Sequence, residues 1–162
     1  MIAPIADSPF AVLTLIAAPA VFVNASSVLT LGTGNRLARV VDRTRVIAGR
    51  MEAGRSGGPD AELWVPHLDR LEKRGGLLLR AMRAFYAAIG FFAAASLIAL
   101  LGASLAASQY NLPFNPIAWF SFASGAAGFV GLVVGCVFLV GETRLALQSM
   151  TEEARLAKSR LR

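Results

Sequence analysis

The stretch AFYAAIGFFAAASLIALLGASLAASQYNLPFNPIAWFSFASGAAGFVGLVVGCVFLVG, residues 84–141, holds no Asp, Glu, Lys, Arg or His. About 20 mostly apolar residues cross a bilayer as a helix. The stretch has room for two such helices, about 84–107 and about 117–140, divided by QYNLPFNP at 109–116. Two prolines and two asparagines make that divider a tight turn. Asn115 suits a helix N-cap and Pro116 a first helical position. Residues 8–35 form another uncharged run, long enough for one more span at about 9–31. A soluble domain of this size interleaves charge along its helices. The reading is therefore all-α: an integral membrane protein with three transmembrane helices and helical cytoplasmic extensions, residues 1–162 forming one membrane domain.

The charged residues give the chain a direction. All sixteen Lys and Arg lie on one side of the three runs, eleven within 36–83 and five within 144–162. Short loops rich in Lys and Arg stay in the cytoplasm. The expected topology puts the N-terminus in the periplasm and the C-terminus in the cytoplasm, across a bacterial inner membrane. The net charge of +6 then reflects orientation and attraction to anionic headgroups. It does not point to nucleic acid, for which no motif is present. Val23-Asn24-Ala25 resembles a signal-peptidase site. However, residues 1–8 lack a basic side chain and contain Asp7, so an uncleaved first span is expected.

Helical periodicity continues past the apolar runs. Leu37, Val40 or Val41, Thr44, Ile47 or Ala48, and Met51 recur at three- and four-residue steps. Trp64, Leu68, Leu71, Gly75 and Leu78 do the same. These two arms, joined by a Gly-, Ser- and Pro-rich break at 49–59, predict a cytoplasmic helical hairpin over about 36–83. Gly75-Gly76 reads as a close-packing site or a hinge. Leu147, Met150, Ala154, Ala157 and Leu161 predict a C-terminal cytoplasmic helix over about 142–162. Pro19 should kink the first span.

Two faces stand out within the spans. Asn24, Ser27 and Gly34 lie along one side of the first helix, with Thr30 or Leu31 between. They read either as a helix-packing face held by interhelical hydrogen bonds or as a pore lining. In the third span Ser121, Gly125, Gly128 and Gly135 share a small-residue face, which allows close approach of a second helix. At the cytoplasmic boundary Glu142 needs a cationic partner. Arg36, Arg80 and Arg83 are the candidates, with Arg36 and Arg80 foremost.

Chemistry-bearing residues are sparse. His67 is the only histidine, and the carboxylates around it follow ordinary surface spacing. It reads as a solvated cytoplasmic residue, not a metal ligand. Cys136 is the only cysteine and lies in the third apolar run, where it reads as a small apolar residue. Gly32-Thr33-Gly34-Asn35 lacks the lysine of a phosphate loop. No catalytic residue, metal or cofactor is expected, and the chain does not read as an enzyme.

Three segments in order carry a family resemblance. Asn35-Arg36-Leu37 leads to Asp42-Arg43-Thr44-Arg45. Leu68-Asp69-Arg70-Leu71-Glu72-Lys73-Arg74 leads through Leu79-Arg80 into the second span. Glu142-Thr143-Arg144-Leu145-Ala146-Leu147 follows the third. Together, over residues 10–153, they resemble a family of small bacterial membrane proteins known as domain of unknown function 2721 (DUF2721). The resemblance implies a three-span helical membrane protein and supplies no activity. Two roles follow from the residues: a structural or accessory subunit binding a partner or anionic lipid, or a homo-oligomeric pore for small ions such as anions. Small and polar faces on two spans make a homo-oligomer or a membrane-complex partner the expected assembly.

Overall fold

Three long helices make up the computed structural model: α1, Pro9–Glu52; α2, Ala61–Ala107; and α3, Phe114–Arg160. The structure describes residues 9–52, 61–107 and 114–160. The turn expected at 109–113, the Gly-rich break at 53–59 and the N-terminal cap lie outside the described residues, as do the side chains of Trp64, Asn115, Ala154, Ala157 and Leu161. The helix expected from the first apolar run through Ala48 is unbroken and continues to Glu52, with Pro19 inside it. α2 begins at Ala61 and accommodates Pro66 within its first turns. α3 begins one residue before Asn115, within the usual uncertainty of a helix end.

Each of α2 and α3 has 47 residues, a rise of about 70 Å. The hydrocarbon core of a bilayer is about 30 Å thick. A helix of this length that crosses it must project well beyond. Two segments are long and apolar enough to cross: Pro66–Gly102 and Pro116–Thr151, each with a peak mean hydropathy of 2.2. Only 22% and 11% of those windows are buried inside the chain. An apolar core helix of a soluble protein would be mostly covered. Here Leu97, Leu101, Phe120, Phe122, Val130 and Val137 face outward. α1, whose side chains are described only from Ala17, is not among the helices that meet this criterion.

The chain folds as two compact units. Unit 1 combines residues 1–30 with 84–133, and unit 2 combines 31–83 with 134–162. The division follows the charge. Apart from Asp7, unit 1 has no charged residue, and all sixteen Lys and Arg belong to unit 2.

Unit 1 is held by rings and small residues. Phe22 of α1 stacks on Phe92 of α2 at 5.1 Å between centroids and meets Phe129 of α3 edge-on at 6.2 Å. Phe85, Ala88, Phe92 and Ala95 form the buried face of α2 at three- and four-residue steps. The glycines of α3 admit this face. A Cβ on Gly128 would stand 2.9 Å from the Phe92 ring, and one on Gly131 would stand 3.3 Å from the Ala84 carbonyl oxygen. Two hydroxyls tie the same helices. Ser121 Oγ donates to the Ala95 carbonyl at 3.0 Å, and Ser124 Oγ to the Phe91 carbonyl at 2.8 Å. Interhelical bonds of this kind contribute about 0.6 kcal/mol each in a membrane.

Unit 2 has an aliphatic core of Val40, Ile47, Leu71 and Leu78, flanked by Leu37, Met51, Leu68 and Leu139. Periodicity alone leaves Val40 or Val41, and Ile47 or Ala48, open for the inner face of α1. Val40 and Ile47 take it, while Val41 is exposed. Gly75 lies in ordinary contact with Val40, its Cβ position 3.8 Å from Cγ1. α2 continues through Gly75-Gly76 without a break. α3 continues as a helix to Arg160, but its inner face is not the Leu147 and Met150 stripe. Leu147 and Met150 are exposed, and Ala146 and Ser149 are turned inward in their place. The cause is the rotation that Glu142 imposes, since it too is inside. Residues four and seven positions on share its face, whereas Leu147, five positions on, lies about 140° away.

Candidate functional site

Glu142 is the one buried charged side chain among the described residues, at 2% exposure. Arg74 Nε and Nη2 both donate to its Oε1, at 2.9 and 2.7 Å. Arg36 Nη1 approaches Oε2 at 3.4 Å and the Thr143 hydroxyl at 3.3 Å. Thr143 Oγ1 in turn donates to the Leu139 carbonyl. One carboxylate thus joins all three helices of unit 2. Arg36 is one of the arginines that depth in the sequence suggests. Arg80 and Arg83, the other candidates, are exposed and make no ion pair with it among the described residues. Arg74 holds that place because of rotation. The inner face of α2 steps through Leu71, Leu78, Ala81 and Phe85. Arg74, three after Leu71 and four before Leu78, falls on that face. Arg80, two after Leu78, points about 200° away.

Beside this knot the three helices leave a cleft. One lobe, about 390 Å³, is bordered by Arg36, Arg39, Arg43, Arg74 and Glu142. A second, about 130 Å³, is bordered by Arg43, Arg70, Arg74 and His67, with Ala146, Ser149 and Met150 as its α3 wall. The cleft exists because the inward positions of α3 below Glu142 are Ala146 and Ser149, too small to fill the space against α1 and α2. Among the described residues, five arginines and one carboxylate line the two lobes. His67, read from sequence as solvated, is half-buried and lines the smaller lobe. Among the described residues no group of three His, Cys, Asp or Glu is placed to hold a metal ion.

The faces singled out within the spans are placed differently. On α1 Asn24 and Ser27 are exposed and Gly34 is half-buried. The Ser27 hydroxyl donates to its own helix, at the Val23 carbonyl. The polar residues that α1 buries are Ser26, Thr30 and Thr33. Thr30 Oγ1 donates to the Ser26 carbonyl at 2.8 Å, while Ser26 Oγ is buried with no hydrogen-bond partner among the described residues. The inner face of α1 runs Ser26, Thr30, Thr33, Leu37 and Val40, rotated about 160° from a face through Asn24. On α3 Ser121 and Gly128 meet α2, Gly125 has open space at its Cβ position, and Gly135 is buried. The small face therefore serves packing within the chain. Cys136 is a half-buried free thiol.

The fold defines an all-α protein with two helices of membrane-spanning length and composition and a charge-rich helical unit. The chain belongs to the family described as protein of unknown function DUF2721, whose model matches residues 16–152. No curated protein and no solved structure gives a significant match.

Proposed function

We propose that this chain is a three-span protein of the bacterial inner membrane. It acts without catalysis as an accessory or structural subunit, and its helical unit 2 docks a partner or anionic headgroups in the cytoplasm. One observation carries the reading: every Lys and Arg falls in one of the two compact units and none in the other. A three-helix unit without Lys or Arg suits the bilayer, and a unit holding every Lys and Arg suits the cytoplasmic side. On this reading α1 crosses as well, at about residues 9–31, with the N-terminus in the periplasm. The test is cysteine labelling from the periplasm on a Cys136→Ala background. A cysteine at Asn111 should label and one at Ser56 should not; the reverse pattern rejects the orientation.

Exposed Asn24 favours a second reading. A side-chain amide facing lipid is costly without a partner, so another copy of the chain or a water-filled path would satisfy it. A symmetric pore for small anions, with the Asn24 face toward the axis and arginines at its mouth, is the alternative. The same face carries exposed Val21, Val28 and Leu31. One amide among three large apolar side chains suits an interface between subunits better than a wetted path. In planar bilayers the purified protein should give no unitary currents. Reproducible currents altered by Asn24→Leu and by Arg36→Gln would establish the pore.

A further inference from the structure

We infer that a second copy of this chain covers the outer face of α1, in a parallel pair held in register by Asn24. The inference rests on the reading that α1 crosses the bilayer, and it names the partner that the exposed amide requires. Ala17, Val21, Asn24, Val28, Leu31 and Asn35 follow one another at alternating steps of four and three residues. That is the spacing of a coiled-coil seam. At about 100° per residue, the six fall within about 80° of the helix circumference. All six are exposed. Ser26, Thr30, Thr33 and Val40, which α1 buries, lie on the opposite side. The exposed side of α1 therefore carries a packing pattern that nothing covers among the described residues.

The amide decides what covers it. Asn24 makes no hydrogen bond among the described residues. The first uncharged run ends at Asn35, 11 residues further on. That is about 16 Å along the helix axis, half-way through a hydrocarbon core about 30 Å thick. Water does not solvate the chain at that depth, so the amide needs a partner from protein. A side-chain amide both donates and accepts. Two Asn24 side chains satisfy each other when two seams meet in register. Copies inserted in one orientation run parallel, and a two-fold axis then sets each seam residue against its own counterpart. An antiparallel pair would set Asn24 against Asn35, but it needs copies of opposite orientation, against the Lys and Arg bias. Ala17, Val21 and Val28 are small enough for the helices to approach closely. A single asparagine in an apolar seam fixes register and strand number in coiled coils. Past Asn35 the seam meets charge at Asp42, so the contact ends at the membrane surface.

The test is disulfide trapping of the full-length chain in native membranes, on a Cys136→Ala background. Val21→Cys and Val28→Cys should each give a linked dimer under mild oxidation. Val130→Cys and Val137→Cys on α3 should not, although these valines are 61% and 63% exposed against 65% and 63% for Val21 and Val28. Val21 also reports direction, because an antiparallel pair would set it against Ala38 and could not link it to itself. Light scattering of the cysteine-free chain in mild detergent should give the mass of two copies. Asn24→Leu should weaken dimerisation by about three- to tenfold. Asn24→Gln, which keeps an amide, should recover most of that loss. Asn24 is exposed in the single chain, so both variants should keep the parent's helical circular dichroism. No link at Val21, equal links at Val130 and Val137, a mass of one copy or of three or more, or an Asn24→Leu chain that associates as tightly as the parent overturns the pair. Periplasmic labelling at Asn111→Cys is read independently. Its failure rejects the orientation, whereas correct labelling without a Val21 link rejects the pair alone.

Discussion

Glu142→Gln lowers stability by about 2–3 kcal/mol, because removing one partner of a buried ion pair strands the other. Full loss for a dry pair is about 3–5 kcal/mol. The discount follows from exposure: Arg74 is 24% and Arg36 49% exposed at the side chain, against 2% for Glu142. Both arginines recover part of their hydration when the carboxylate is neutralised. Arg74→Gln has a similar cost, since it leaves the buried carboxylate with only the 3.4 Å approach of Arg36. Arg36→Gln costs about 1 kcal/mol or less, as is usual for a half-exposed partner. Glu142→Gln/Arg74→Gln falls short of the sum of its parts by about 1–2 kcal/mol. Arg80→Gln stays within about 0.5 kcal/mol. The measurement is the thermal midpoint in detergent by circular dichroism, where 2–3 kcal/mol corresponds to about 5–10 °C for a chain of this size. Equal, small shifts for Glu142→Gln and Arg80→Gln would show that the carboxylate is hydrated and that it does not lock the helices.

The partner of Glu142 shows what a sequence can and cannot reveal here. Depth along a helix is legible: the uncharged runs end at Asn35 and Gly141 and begin at Ala84. Arg36 and Glu142 each follow the end of a run directly. Rotation about the helix axis is harder to read. Arg80 and Arg83 stand at a suitable depth but on the wrong side of α2, while Arg74 is deeper in unit 2 and on the right side. The signal is present in the steps Leu71, Arg74, Leu78 and Ala81, which place an arginine inside an apolar stripe. The same limit explains α1. Asn24 is the most polar side chain within the span, yet the hydroxyls of Ser26, Thr30 and Thr33 occupy the packed side. Short side chains there continue the stripe that Leu37 and Val40 fix.

Long-range features need the rotations of all three helices at once. Nothing local in the sequence says that Ala146 and Ser149 leave a cavity opposite Arg43 and Arg70. Leu147 and Met150 have the spacing of a core stripe but are exposed, Met150 at the rim of the cleft, because the buried Glu142 fixes how α3 is turned. The helices themselves are legible because charge, apolar run length and three- and four-residue periodicity agree over more than forty residues in each. The small-residue spacing of α3 is legible as a close-packing face. That its partner is α2 of the same chain emerges only from the contacts of Gly128 and Gly131.

Those contacts set the second large effect. Gly128→Leu destabilises unit 1 by about 3 kcal/mol, at the upper end for overpacking a filled core. A Cβ at Gly128 would lie 2.9 to 3.1 Å from three atoms of the Phe92 ring. That ring is buried and stacked on Phe22, so it has no open side to move toward. Gly128→Ala brings the same first clash and costs about 1–2 kcal/mol, after a gain of up to about 1 kcal/mol from helix propensity. Gly125→Ala is the control on the same helix, because nothing lies within 4 Å of its Cβ position. It should be neutral or stabilising by up to about 1 kcal/mol. Shrinking the opposing ring tests the cause: in the Gly128→Ala background, Phe92→Leu should cost at least about 1 kcal/mol less than it does alone. Thermal midpoints in detergent again give the order. Identical behaviour of Gly125→Ala and Gly128→Ala would mean that α2 and α3 do not approach at this point, and that the small face of α3 is available to a different helix.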